Sequence, residues 1–99
     1  MNQIQFTKEA LFDIEEITLW YEDQREGLSY DFELCIEVGI NEIQRLPSGY
    51  QKRYKNIKIK FINRFPYGIH YVIQENQITI LGVFHTSRSP KNWIKRKNL

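Results

Sequence analysis

The residues best equipped for chemistry in this 99-residue chain gather in its second half: Lys58, Lys60, Arg64, His70, His85, Thr86, Ser87 and Arg88. Lys58 and Lys60 stand two apart, so an extended strand would project both to one side. Long cationic side chains on an open sheet face suit contact with a phosphate backbone. The run His85-Thr86-Ser87-Arg88-Ser89-Pro90 follows an apolar stretch, where a rigid strand can hold polar groups for function. Arg88 is a permanent cation whose forked donors match phosphate or carboxylate. The His85 imidazole can exchange a proton near neutral pH. Lys91 and Trp93 extend the same polyanion- or target-binding set, and Tyr54, Tyr67 and Trp93 offer planes for base stacking. Blander uses remain open: lysines that only solvate a strand face, a His85 bonded to the neighbouring strand, and an Arg88 paired with a helix glutamate.

Other chemistries find no support. His70 and His85 fall on different strands, without cysteine or carboxylate at ligand spacing, so no metal site is expected. There is no glycine-rich phosphate loop and no G-x-S-x-G elbow, and no cofactor is expected. Cys35 is the single cysteine; it reads as a core thiol, with no intrachain disulfide and a reducing compartment. With no apolar run of about 18 residues and no leader-like N-terminus, a cytoplasmic protein without a membrane partner is expected. The net charge of +2 conceals a division. Residues 1–49 carry three basic against eleven acidic residues, a balance of −8. Residues 50–99 carry eleven basic residues against Glu75 alone, a balance of +10. Such asymmetry suggests a polyanionic partner for the basic half.

The elements that must position these groups follow from periodicity. Residues 2–6 alternate as a short strand. Thr7 suits a helix cap, and Ala10, Ile14, Ile17 and Tyr21 then recur at helical spacing, with a break over residues 22–27. A second helix is predicted from about Leu28 to Leu46, with Leu28, Phe32, Cys35, Ile36, Ile40 and Ile43 in one stripe and Pro47-Ser48-Gly49 ending it. Ile57, Ile59 and Phe61 alternate with Lys58 and Lys60, which predicts a strand whose lysines face away from a helix-covered core. Asn63–Pro66 turns into a strand over residues 67–74, and Glu75-Asn76 reverses into a nearly continuous apolar strand over residues 78–85. The order is β-α-α-β-β-β: one α+β domain over residues 1–99, an antiparallel sheet with a two-helix hairpin on one face.

These features resemble the RelE/ParE superfamily of type II toxins over nearly the whole chain. The likeness rests on Ala10, Asp13-Ile14, Ile17 and Trp20-Tyr21; on Gly27-Leu28 opening a helix that closes with Ile43 and Leu46-Pro47; and on Phe65-Pro66-Tyr67 leading into Ile69-His70-Tyr71. The most specific run is Ile78-x-Ile80-Leu81-x-Val83-Phe84-His85-x-Ser87-Arg88-x-Pro90-x-x-Trp93, which looks more like the ParE branch.

The resemblance implies a growth-inhibiting toxin, as in plasmid stabilization, with a cognate antitoxin that wraps it in a hetero-oligomer. An acidic antitoxin segment would suit the basic half. RelE-like relatives cleave messenger RNA in the ribosomal A site without metal. Lys58, Lys60, Arg64 and Arg88 would match their cationic set. In a nuclease Lys58, Lys60 and Arg88 would stabilise phosphorane charge while His85 moves the proton. Those relatives commonly use a C-terminal tyrosine, but none follows Tyr71 here, and the Trp93 indole is no acid or base. ParE-like relatives poison DNA gyrase by binding, without catalytic residues. The expectation is therefore ParE-like gyrase poisoning. The alternative is a RelE-like ribosome-dependent mRNA endoribonuclease, and a third reading is an antitoxin-bound scaffold without toxicity.

Overall fold

In the computed structural model, which describes residues 3–49, 52–54 and 56–88, the chain runs β1 (Gln3–Phe6), α1 (Lys8–Gln24), α2 (Leu28–Arg45), a 3-10 turn (Pro47–Gly49), β2 (Lys52–Tyr54), β3 (Ile57–Phe61), β4 (Tyr67–Gln74) and β5 (Gln77–His85). Thr7 keeps an extended backbone, and its hydroxyl oxygen accepts the Ala10 N–H at 3.1 Å, satisfying one donor that a helix start leaves free. Glu9 sits in the same turn, at the positive end of the helix dipole. Gly27, at φ +85°, supplies the left-handed residue that reverses the chain between the helices. Glu22 Oε1 fastens this reversal, accepting from the Gly27 N–H at 3.3 Å and the Ser29 hydroxyl at 2.6 Å.

The five strands form one sheet in the order β1-β5-β4-β3-β2. Three successive pairs, β2–β3, β3–β4 and β4–β5, are antiparallel, as hairpin turns require. The first strand departs from the antiparallel expectation. It joins parallel to β5, with Gln3 opposite Gln77 and Phe6 opposite Ile80, so the sheet is mixed. Parallel pairing needs a crossover, and the helix pair plus the meander supplies one. The three-residue β2 has no alternating pattern in the sequence and was not anticipated.

Under the helices lies the main core: Ala10, Tyr21, Phe32, Ile36 and Ile43 pack with Ile62, Phe65, Ile69, Tyr71, Ile78, Ile80 and Val83. Tyr71 also reaches the end of α2, where its hydroxyl donates to the Pro47 carbonyl at 3.0 Å. The ladder register fixes which side β3 turns toward this core. Lys58 lies opposite Tyr71 and Lys60 opposite Ile69, and directly opposed residues share a face. The two lysines therefore occupy the helix side, the reverse of the face expected for them. Ile57, Ile59 and Phe61 turn to the second face with Gly68 and His70. That face is also largely buried, with Ile57 at 1%, His70 at 1% and Ile59 at 4% exposure. Alternation marks the core side only when the opposite side is wet. Here it is not.

At Gly68 the second face is packed tightly: a Cβ there would lie 2.7 Å from Ile59 Cγ2. Gly68→Ala should cost about 1–3 kcal/mol in denaturant unfolding. An Ile59→Ala background should abolish most of that increment, and an undiminished penalty there would refute the contact as its cause.

Candidate target-binding site

The β1–β5 ladder stops at Phe6 and Ile80, five residues short of the end of β5. Beyond it the edge of β5 is satisfied by α1 and its cap instead of a strand. The Thr7 N–H donates to the Ile80 carbonyl at 3.0 Å, and the Thr7 hydroxyl donates to the Leu81 carbonyl at 3.3 Å. Asp13 Oδ2 then accepts the Val83 N–H at 3.0 Å. Val83 is buried, so without Asp13 its N–H would be cut off from water. This lays the first turns of α1 along β5 and brings the strand out beside the helix. The result is a hollow of about 140 Å³, lined by Asp13, Glu16 and Ile17 of α1, by Tyr67 of β4, and by Val83, Phe84, His85 and Arg88.

A tight turn closes the strand at this hollow. The Thr86 N–H donates to the Pro66 carbonyl at 2.8 Å, and the Arg88 N–H donates to the His85 carbonyl at 3.0 Å. His85 Nδ1 receives the Ser87 backbone N–H at 3.1 Å and stands 2.7 Å from the Ser87 hydroxyl. A backbone N–H can only donate, so Nδ1 must carry the lone pair. Neutral His85 therefore bears its proton on Nε2 and presents a donor. Its ring lies edge-on to Tyr67, 5.2 Å between centroids. Burial, reinforced by the adjacent Tyr67 hydroxyl, pushes Tyr21 above the ordinary tyrosine range. That neutral ring packs with Phe32, Phe65 and Tyr67 as an aromatic floor for the start of β4.

Arg88 is exposed, with its guanidinium carbon 5.8 Å from the Phe84 ring centroid. Among the described residues it forms no ion pair, so the helix-glutamate pairing considered for it is not made. The other cations are placed differently. Lys60 reaches Glu42 of α2 at 3.6 Å with its side chain only 17% exposed, and Arg64 reaches Asp31 of α2 at 3.5 Å. Lys58 shares the Lys60 face. β4 separates β3 from β5 in the sheet, so Lys58 and Lys60 stand two strand spacings, roughly 10 Å, from β5, while Arg64 lies in the β3–β4 loop, two residues before the Pro66 whose carbonyl holds the His85 turn. The fold thus unites His85, Ser87 and Arg88, sets Lys58 and Lys60 apart from them on β3, and ties Arg64 to Asp31 of α2. Lys91, Trp93 and the side chain of Tyr54 lie outside the described residues. Tyr67, singled out in the sequence as a stacking plane, lines the hollow, while Asp13 and Glu16 are lining residues whose place here the sequence did not reveal. Among the described residues no His, Cys, Asp and Glu cluster is arranged for a metal ion, and no helix is long and apolar enough to cross a membrane.

Two measurements probe this geometry. Nitrogen NMR of neutral His85 should find Nδ1 unprotonated and Nε2 bearing hydrogen; the opposite tautomer would contradict the Ser87 contacts. Asp13→Ala should destabilise the fold by about 1–3 kcal/mol in denaturant melts, through the orphaned Val83 N–H. Asp13→Asn keeps an acceptor oxygen and should lose less. Equal losses would show that the carboxylate charge, not acceptance, holds the edge.

Comparisons with known proteins bear on the family and the fold. The family model described as "ParE toxin of type II toxin-antitoxin system, parDE" matches residues 4–90. No curated protein sequence matches the chain. A solved structure titled "Chromosomal ParDE TA system from P. aeruginosa" is similar to it, with a TM-score of 0.77 and 15% identity over 88% of this chain and 98% of that one. At that identity the likeness establishes the fold, while the family match covers most of the sequence. The chain belongs to the ParE toxin family of type II toxin–antitoxin systems.

Proposed function

We propose that the chain arrests growth by binding DNA gyrase through the His85–Arg88 turn, without chemistry of its own. As a ParE-type toxin it has an antitoxin for a partner. An acidic antitoxin segment that covers the basic half in the cytoplasm, in a toxin–antitoxin hetero-oligomer, fits the charge division of the chain.

The observation that carries this reading is the state of the turn. Arg88 projects a forked donor that no carboxylate among the described residues engages. Beside it, His85 has its lone-pair nitrogen occupied by Ser87, which leaves a donor and not a base toward the hollow. Two donors at the end of a rigid strand make a recognition point for an anionic group. A metal-free nuclease would instead need a general base and converging cations within reach of one phosphate. Lys60 and Arg64 are engaged by α2 carboxylates, and Lys60 stands on β3, two strands away from β5. That separation favours gyrase binding over ribosome-dependent RNA cleavage.

The test is Arg88→Ala, expressed without antitoxin. The variant should lose growth inhibition, a loss of at least roughly tenfold in effective affinity for a deleted charged contact. Its melting temperature should stay within about 2 °C of the parent, since the one ring contact of this exposed side chain, with Phe84, contributes little to stability. Full toxicity in this variant would remove Arg88 from the site. Toeprints showing cuts at the ribosomal A site with the parent toxin would replace gyrase binding with nuclease action.

A further inference from the structure

α1 carries more apolar surface than its buried stripe needs. Ala10, Ile14, Ile17 and Tyr21 face the core, yet Phe12, Leu19 and Trp20 remain 59%, 60% and 56% exposed. A helix with large apolar residues on a second side is equipped for a partner. Trp20 has a particular place among them. It follows Ile17 by three residues, Glu16 by four and Asp13 by seven, and these three line the hollow beside His85 and Arg88. Residues at such spacings are neighbours on one helix flank. The indole also meets the Tyr21 ring edge-on at 5.1 Å, and Tyr21 stacks toward Tyr67 of the same hollow. Trp20 thus flanks the hollow on the helix side, while Arg88 stands at its strand end.

We propose that the target is gripped as a protein across this hollow, with the Trp20 indole as apolar anchor and Arg88 with His85 Nε2–H as paired donors. The matching surface offers an apolar pocket next to an acidic side chain. Charge decides for protein over nucleic acid. α1 holds six acidic residues, Glu9, Asp13, Glu15, Glu16, Glu22 and Asp23, against Lys8 alone. A polyanion seated on Arg88 would run its further phosphates along those carboxylates, within the roughly 10 Å over which surface charges act at ordinary salt. A protein presenting one acid and an apolar pocket meets no such repulsion. Tryptophan and arginine are also the side chains that most often dominate protein interfaces.

The inference rests on the proposed function for the site but not for the target's identity, and the experiment separates the two. Growth arrest is measured for Trp20→Ala, Trp20→Phe and Trp20→Arg toxins without antitoxin, beside thermal melts and antitoxin affinity for each. Trp20→Ala should raise the toxin dose for half-maximal arrest roughly thirtyfold, the scale of losing a dominant anchor. Trp20→Phe should retain most activity. Melts and antitoxin affinity should be unchanged, and if the alanine variant melts early, Trp20→Arg, which keeps a long helix-favouring stem, must show the same loss. Undiminished arrest by both non-aromatic variants overturns the proposal. So does lost antitoxin affinity with toxicity kept, which would assign this flank to the antitoxin. Weakened binding of a single-stranded RNA or DNA 12-mer by Trp20→Ala would mark a nucleic-acid surface instead. Supercoiling by purified gyrase with parent toxin reports separately on the target: if gyrase is unaffected yet Trp20→Ala still abolishes arrest, the gripping surface stands and gyrase does not.

Discussion

The edge of β5 is the constraint on which the rest of the structure depends. A sheet strand must satisfy both rows of its backbone groups, and β1 reaches only as far as Ile80. Part of the remaining row is met by the Thr7 backbone and hydroxyl and by the Asp13 carboxylate. Those bonds do more than close an account of donors and acceptors. They draw α1 along the strand, set its acidic flank against the emerging His85 turn, and create the hollow where two cation-capable side chains meet two carboxylates. Moving α1 by one turn would orphan Val83 and dissolve the site together.

The charge division of the chain takes on a specific form in three dimensions. The halves do not merely lie side by side. Lys60 and Arg64 are tied across the α2–sheet junction to Glu42 and Asp31, so part of the positive excess is matched internally. The more exposed Arg64–Asp31 pair contributes little to stability, and the effect of both pairs here is chiefly on what surface is left for partners. Among the described residues, Arg88 at the end of β5 lies against an aromatic ring, next to a histidine held as a donor. Recognition at such a place depends on shape and a few directed groups more than on total charge.

Much of this was legible in the sequence. The helix stripes, the break at Gly27, the β4 turn and the unbroken apolar run of β5 each announce their element through period or composition, and each is found nearly where it was expected. The His85–Arg88 run was also visible as a polar group leaving a buried strand. The lysine face of β3 was misread because Ile-Lys-Ile-Lys-Phe states only that the faces differ. Long-range packing decides which face the helices cover, and the burial of Ile57, Ile59 and His70 shows that the second face is dry as well. Asp13 was hidden for a related reason: an acid on a helix flank looks solvated until its partner, seventy residues away, is known. The parallel β1–β5 pairing depends on contacts equally distant in the chain. Local chemistry was readable, whereas pairings set by topology were not.

We propose a binding surface at the end of β5 that acts without chemistry of its own. Its most direct measurement is DNA supercoiling by purified gyrase titrated with purified toxin, in the absence of ribosomes and antitoxin. The account predicts that supercoiling falls, with saturation near one toxin per binding site and cleaved DNA held on the enzyme. Unimpaired supercoiling at toxin concentrations that arrest growth would contradict it.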